Sequence, residues 1–336
     1  MQTNLKRLLS KQHGCLFLKW CWLGAYSALF SLSVITGCSG ILCSPPEYFA
    51  PEEDAPYAAE EVNVSTKAGH ILVGTLTIPN KVDEPIPGVV LITGSSPQNR
   101  DHSPAEYPEY RLFRQIADAL SRRGIAVLRM DDRGCGCSEG GPFWSATTAE
   151  RADDIRAGIS YLKGREAINA NRIGLIGLSE GALIAPMIAV TDSSIIAVVL
   201  MAGPATKGEV VFDFQHGSSW RQGTGSAGPN SKWLKFAGEY DPLPTAEMVR
   251  CPVFILHGDQ DTLVPVEHAS ILAEAIRSSG NPDVTLQIFA GYSHGFIRIE
   301  EAKIREKQGR PLKEILQISQ EVISAISDWV IAKLAM

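Results

Sequence analysis

Residues 172–190 read RIGLIGLSEGALIAPMIAV, an apolar run, then the pentapeptide Gly177-Leu178-Ser179-Glu180-Gly181, then a second apolar run. The first run is short enough for a buried strand and the second has the length of a helix. The pentapeptide leaves no residues for a loop between them. The chain must pass from strand to helix through a turn so tight that Gly is needed on both sides of Ser179. Such a turn exposes the serine oxygen, and the free N–H groups at the helix start beneath it favour an oxyanion. Ser179 is therefore the candidate nucleophile.

The same alternation continues in both directions. Residues 61–67 and 71–78 read as a hairpin turning at Ala68-Gly69-His70. Residues 88–93, 125–130, 172–176, 195–201, 253–257 and 284–289 are apolar runs of strand length, and 110–123, 147–163, 180–190 and 266–279 read as the helices between them. A closing amphipathic helix is expected around 312–334. Continuous apolar strands interleaved with helices describe an α/β protein: a mostly parallel, mixed sheet of about eight strands with helices on both faces. Residues 204–248 break the rhythm with many Gly and Ser residues plus Trp220 and Trp233, and read as a short cap insertion.

A serine hydroxyl needs a base to take its proton and an acid to hold that base in the right tautomer. Around an elbow of this type they follow in the order Ser, Asp or Glu, His. Asp261, in HGDQD after the strand VFIL, and His294, in GYSHGF after VTLQIF, satisfy the order and the strand-end placement. Asp259 lies two positions earlier and reads as a turn-forming residue beside Gly258. His257 reads as a structural residue at the strand end. The oxyanion hole is expected from two main-chain N–H groups, that of Glu180 and that of Ser95 in Thr93-Gly94-Ser95-Ser96-Pro97, with Ser96 as the fallback.

The segments ITGSSPQNRD, GIAVLRMDDRGCGCSEG, RIGLIGLSEGALIAPM, FAGEYDP and HGDQDTLVP, in that order, resemble bacterial α/β-hydrolases of the serine aminopeptidase-like and dienelactone-hydrolase-like esterase group. The resemblance runs from about Glu61 to the C-terminus. It implies an α/β-hydrolase fold and hydrolysis of carboxylic esters, often of short acyl chains. An aminopeptidase, amidase or thioesterase using the same residues is the alternative, with Glu239, Asp241 or Glu180 as an anion for a substrate amine. A non-catalytic, lipid-anchored binding protein is a third reading. Thr93 stands where the group usually has His, and Ala182 where a second Gly is common.

Other motifs carry less. Gly134, Gly136 and Gly140 have the wrong spacing for a dinucleotide loop, and the His residues lack metal-ligand spacing. No cofactor and no metal are expected. The seven Cys contain no Cys-x-x-Cys pair and suggest no disulfide framework. With 45% hydrophobic and 20% charged residues and a net charge of −6, the chain is a globular protein without an electrostatic footprint for nucleic acid.

That net charge averages two unlike parts. Residues 1–37 hold Lys6, Arg7, Lys11 and Lys19 and no acidic residue, and no charge occurs from Trp20 to Pro46. A basic stretch before an apolar run is the pattern of a signal peptide. Ile35-Thr36-Gly37-Cys38 resembles a bacterial lipobox, which implies lipidation at Cys38. An uncleaved membrane helix is the alternative, since about 20 apolar residues span a bilayer. The expected organisation is a signal peptide at 1–37, a Pro- and Glu-rich spacer at 38–60 and a hydrolase domain at 61–336. Such a protein is exported and held at the cell envelope, on the periplasmic face of an outer membrane where one exists. The part beyond residue 37 carries about −10.

Overall fold

The apolar runs flanking Ser179 become the centre of a single eight-stranded sheet. The structure, a computed structural model, describes residues 51, 54–80, 84–103, 110–216, 228, 230–311, 314 and 317–334. The expected signal peptide and Cys38 lie outside the described residues, as does Trp220. The strands are β1 (Tyr57–Ser65), β2 (Ile71–Pro79), β3 (Ile86–Ile92), β4 (Ala126–Met130), β5 (Ile168–Leu178), β6 (Ile195–Met201), β7 (Val253–Gly258) and β8 (Val284–Phe289). Their order in the sheet is β1-β2-β4-β3-β5-β6-β7-β8. β1, β2 and β4 pair antiparallel, and from β4 through β8 every pairing is parallel.

Helices cover both faces, which is why the central strands are apolar throughout rather than alternating. On one face α2 (Thr148–Lys163), α3 (Gly181–Ala189) and α7 (Glu267–Ser278) pack through Ile159, Leu162, Ile184, Ile188, Leu272 and Ile276 against Val90, Leu175, Val198 and Ile255. On the other, α1 (Leu112–Ser121) and α9 (Gln320–Leu334) pack through Phe113, Ile116, Leu120, Val322 and Ile326 against Val89, Val127, Val199 and Phe254. Each such side chain taken fully from water contributes about 1.5–3 kcal/mol. Thr147 starts α2 with a capping box, its hydroxyl accepting from the Glu150 N–H while the Glu150 carboxylate accepts from the Thr147 N–H.

The architecture is that of an α/β-hydrolase, and its departures from the sequence expectation have local causes. β1 begins at Tyr57, inside the stretch read as spacer, because it pairs with β2 from Tyr57 opposite Pro79 onward and the Tyr57 hydroxyl donates to Asp118 at 2.7 Å. The insertion contains α4 (Gly208–His216), α5 (Lys232–Glu239) and the short α6 (Leu243–Ala246). The closing helix starts at Gln320 rather than 312, and a separate α8 (Ile299–Lys307) precedes it. α8 has almost no apolar stripe for a periodicity to reveal. Its surface is laced by Lys303–Glu300 at 2.5 Å and Arg305–Glu301 at 3.2 Å. Among the described residues no helix is long and apolar enough to cross a membrane. Cys135 and Cys251 are free thiols and Cys137 is disulfide-bonded, a bond its spacing did not suggest.

This sheet brings the sequence candidates together. Ser179 follows the central strand β5, Ser95 follows β3, Asp261 follows β7 and His294 follows β8. All four therefore sit at the carboxyl edge of the parallel strands, where open α/β sheets bind their ligands.

Candidate active site

Ser179 has φ +56°, in the left-handed region that L-residues other than Gly seldom occupy. The surroundings hold it there. Its N–H donates to the Met201 carbonyl at 2.8 Å, tying the elbow to the end of β6. A Cβ on Gly177 would lie 2.1 Å from the Gly181 carbonyl oxygen, and one on Gly181 would lie 2.2 Å from the Ile92 carbonyl oxygen. Both flanking positions therefore exclude a side chain, as the pentapeptide implies. Strain of this kind persists only where packing over-determines it, as it does here.

His294 and Asp261 meet across the ends of β7 and β8. His294 Nδ1 lies 2.7 Å from Asp261 Oδ2, and both side chains are buried. The other oxygen, Oδ1, accepts from the N–H groups of Leu263 at 2.8 Å and Val264 at 3.0 Å. Burial alone would raise the Asp261 pKa. The neighbouring His294, together with hydrogen bonds from His257 and His294, outweighs it and holds the carboxyl well below the usual carboxylate range. A carboxylate fixed on Nδ1 leaves Nε2 of the imidazole as the basic nitrogen. Asp259 does something else: it is exposed and accepts from the Gly291 N–H at 2.6 Å, closing the loop that carries His294.

The loop bearing His294 is fastened elsewhere too. The Ser293 N–H donates to the Ile297 carbonyl at 3.1 Å, and the buried Tyr110 hydroxyl donates to the carbonyl of Gly295, the residue after His294. His257, read from sequence as structural, is fully buried with Nε2 at 3.0 Å from both Asp261 Oδ2 and the Val264 carbonyl. It thus touches the same carboxylate oxygen as His294.

The loop after β3 lies directly against the elbow, since a Cβ on Gly94 would sit 3.4 Å from the Ser179 Cβ. Among the described residues neither the Ser95 N–H nor the Glu180 N–H has a protein acceptor. Thr93 contributes a hydroxyl that donates to Asp132 Oδ1 at 2.6 Å. Asp132 is pushed up to about 6, burial outweighing the lowering effects of Arg151 and Thr93.

The Glu180 side chain is fully committed. It accepts from Thr148 Oγ1 at 2.6 Å and from Trp233 Nε1 at 2.9 Å, and pairs with Arg151 Nη1 at 2.8 Å. Trp233 belongs to α5 and sits in an aromatic cluster with Phe143, Trp144 and Phe212, so the insertion is bolted to the residue following Ser179. Glu180 is thereby no free anion for a substrate amine. Of the other two candidates, Glu239 is exposed, and Asp241 is exposed with Oδ1 accepting from the Leu243 N–H at 3.1 Å. Nothing in the local sequence marked Arg151 or Tyr110, whose partners Gly94, Glu180 and Gly295 are distant in the chain, or tied Trp233 to Glu180. The His257 contact is local, four residues from Asp261, but strand-end placement alone read it as structural. Among the described residues no group of three or more His, Cys, Asp or Glu side chains could hold a metal ion.

Comparison with known proteins agrees with this architecture. The chain is 25% identical over 338 aligned residues to Esterase EstD from Thermotoga maritima, covering 92% of this chain and 77% of that one. It is 25% identical to Dipeptidyl aminopeptidase BIII from Pseudoxanthomonas mexicana over 72% of this chain, which spans 36% of that longer protein. Among solved structures, a Pyrococcus furiosus esterase superposes with a TM-score of 0.57 at 22% identity, covering 84% of this chain and 95% of that one. The ferulic acid-bound Est1E from Butyrivibrio proteoclasticus superposes with a TM-score of 0.60 at 20% identity, covering 82% and 100%. These likenesses place the chain in the α/β-hydrolase superfamily. The model of the prolyl oligopeptidase family matches residues 112–309, more than half of the chain and every element from α1 to α8. This serine hydrolase belongs to the prolyl oligopeptidase family.

Proposed function

We propose that the protein hydrolyses carboxylic esters of small molecules, short acyl chains foremost, through an acyl-enzyme on Ser179. His294 takes the Ser179 proton as Oγ attacks the ester carbonyl and returns it to the leaving alcohol; Asp261 orients the imidazole and stabilises its charged form. The N–H groups of Ser95 and Glu180 receive the negative charge that develops on the carbonyl oxygen. Water, activated by the same imidazole, then releases the acid. The observation that carries this reading is the buried 2.7 Å contact between Asp261 and His294 at the same carboxyl edge of the sheet as the strained Ser179 elbow.

Membership of a family named for a peptidase favours peptide or amide hydrolysis as the second reading. The committed Glu180 carboxylate speaks against an amine anchor next to the nucleophile. A substrate panel separates the two: p-nitrophenyl acetate, butyrate and decanoate against aminoacyl-p-nitroanilides. Turnover of the short esters with no anilide release is expected. Anilides hydrolysed faster than every ester would make the protein a peptidase.

We also propose export and anchoring at the cell envelope through lipid on Cys38, with an uncleaved N-terminal helix as the alternative. Cells fed radiolabelled palmitate are expected to label the wild-type chain and not Cys38→Ser, while equal labelling of both would contradict the lipid anchor.

A further inference from the structure

Arg151 stands behind the proposed oxyanion hole and touches both of its halves. Its side chain, on the first turn of α2, is almost fully buried. Nη2 donates to the Gly94 carbonyl at 3.1 Å and to Thr93 Oγ1 at 3.2 Å, while Nη1 lies 2.8 Å from Glu180 Oε2. The guanidinium stacks over the Phe143 ring, 4.2 Å from its centroid, which fixes its plane.

Two covalent facts turn this contact pattern into a role. The Gly94 carbonyl and the Ser95 N–H are opposite ends of one trans peptide, so holding the oxygen on one side aims the N–H to the other. The second N–H belongs to Glu180, whose carboxylate is gripped by the same guanidinium. A cation on the Gly94 oxygen also polarises that peptide, strengthening the N–H as a donor. We infer that Arg151 is a positioning residue for catalysis, aligning the Ser95 and Glu180 N–H groups on the developing oxyanion without itself touching substrate. The planar fork matters: a Lys ammonium at this position is a single point charge on a different stem and does not reproduce an Nη2 held on the Gly94 and Thr93 oxygens together with positive charge 2.8 Å from the Glu180 carboxylate.

The inference rests on the oxyanion assignment above, and its test is chosen to tell the two apart. An oxyester and its thionoester analogue differ only in the atom entering the hole, and sulfur is a larger, weaker acceptor. Both are assayed with wild type and Arg151→Lys, together with the thermal midpoint. For wild type the oxyester is expected to be much the better substrate. In Arg151→Lys the oxyester kcat is expected to fall about 10- to 100-fold, less than the 10²–10³ of deleting a donor outright. KM stays within about twofold and the oxyester-to-thionoester ratio falls with kcat, as loss of an interaction made only in the transition state requires.

A folded Arg151→Lys that keeps the wild-type ratio overturns the inference while leaving the hole intact. A wild-type ratio near one removes the hole, and the inference with it. Should Arg151→Lys not fold, the charge-neutral pair Arg151→Gln with Glu180→Gln takes its place. Gln is shorter than Arg, carries one NH2 group in place of two and has no charge to polarise the Gly94 peptide, so the same loss of kcat and ratio is expected, and an unchanged kcat overturns the proposal.

Discussion

Replacing Ser179 with Ala is expected to lower kcat for p-nitrophenyl acetate by about 10⁵- to 10⁶-fold, the scale seen when a serine nucleophile is deleted. The fold should not change, because Ala keeps the Cβ that already fits against Gly94 and adds nothing to the elbow. An unchanged thermal midpoint beside the lost turnover separates chemistry from stability. Turnover surviving at wild-type level would place the nucleophile elsewhere.

Asp261→Asn is expected to cost about 10⁴-fold in kcat through the tautomer of His294 rather than through packing. The N–H groups of Leu263 and Val264 both donate to Oδ1, so the amide oxygen of Asn must occupy that position. Its NH2 then faces His294 Nδ1 and donates to it, which moves the imidazole proton onto Nε2 and blocks the base. Asp259→Asn, by contrast, keeps the acceptor for the Gly291 N–H and is expected to retain activity within a few-fold. Equal losses in the two variants would contradict the assignment of Asp261.

The same pair of proteins carries a pH signature. The folded pKa of Asp261 lies below the unfolded value of about 3.9, so its stabilisation is present above that pH and is lost as the pH falls through the folded value. The gap in thermal midpoint between wild type and Asp261→Asn is therefore expected to narrow on acidification below about pH 4. A gap that widens there would mean that Asp261 does not stabilise the fold as a carboxylate.

Local features of this fold were legible in the sequence, and contacts between distant elements were not. The elbow was legible because a strand and a helix joined with no loop leave backbone approaches that only Gly177 and Gly181 permit. The strand-end positions of Asp261 and His294 were legible because each apolar run ends visibly in Gly- and Asp-containing turns. The choice between Asp259 and Asp261 was open to chain order alone, and burial is what separates the two. Arg151 was silent: its partners Gly94 and Glu180 lie on other elements, and a lone Arg inside an Asp- and Arg-rich helix reads as solvated surface. Trp233 was legible only as part of the cap insertion, and its indole N–H on Glu180 shows it to be an anchor for that insertion. The polar helix α8 escaped because ion pairs along its own surface leave no apolar period.

The nucleophile is located most directly by a covalent probe that reacts with an activated serine. Intact protein is treated with a fluorophosphonate, digested, and its peptides are sequenced by mass spectrometry. A single adduct is expected on the peptide containing Ser179, absent from Ser179→Ala. An adduct on any other residue, or undiminished labelling of Ser179→Ala, would contradict Ser179 as the nucleophile.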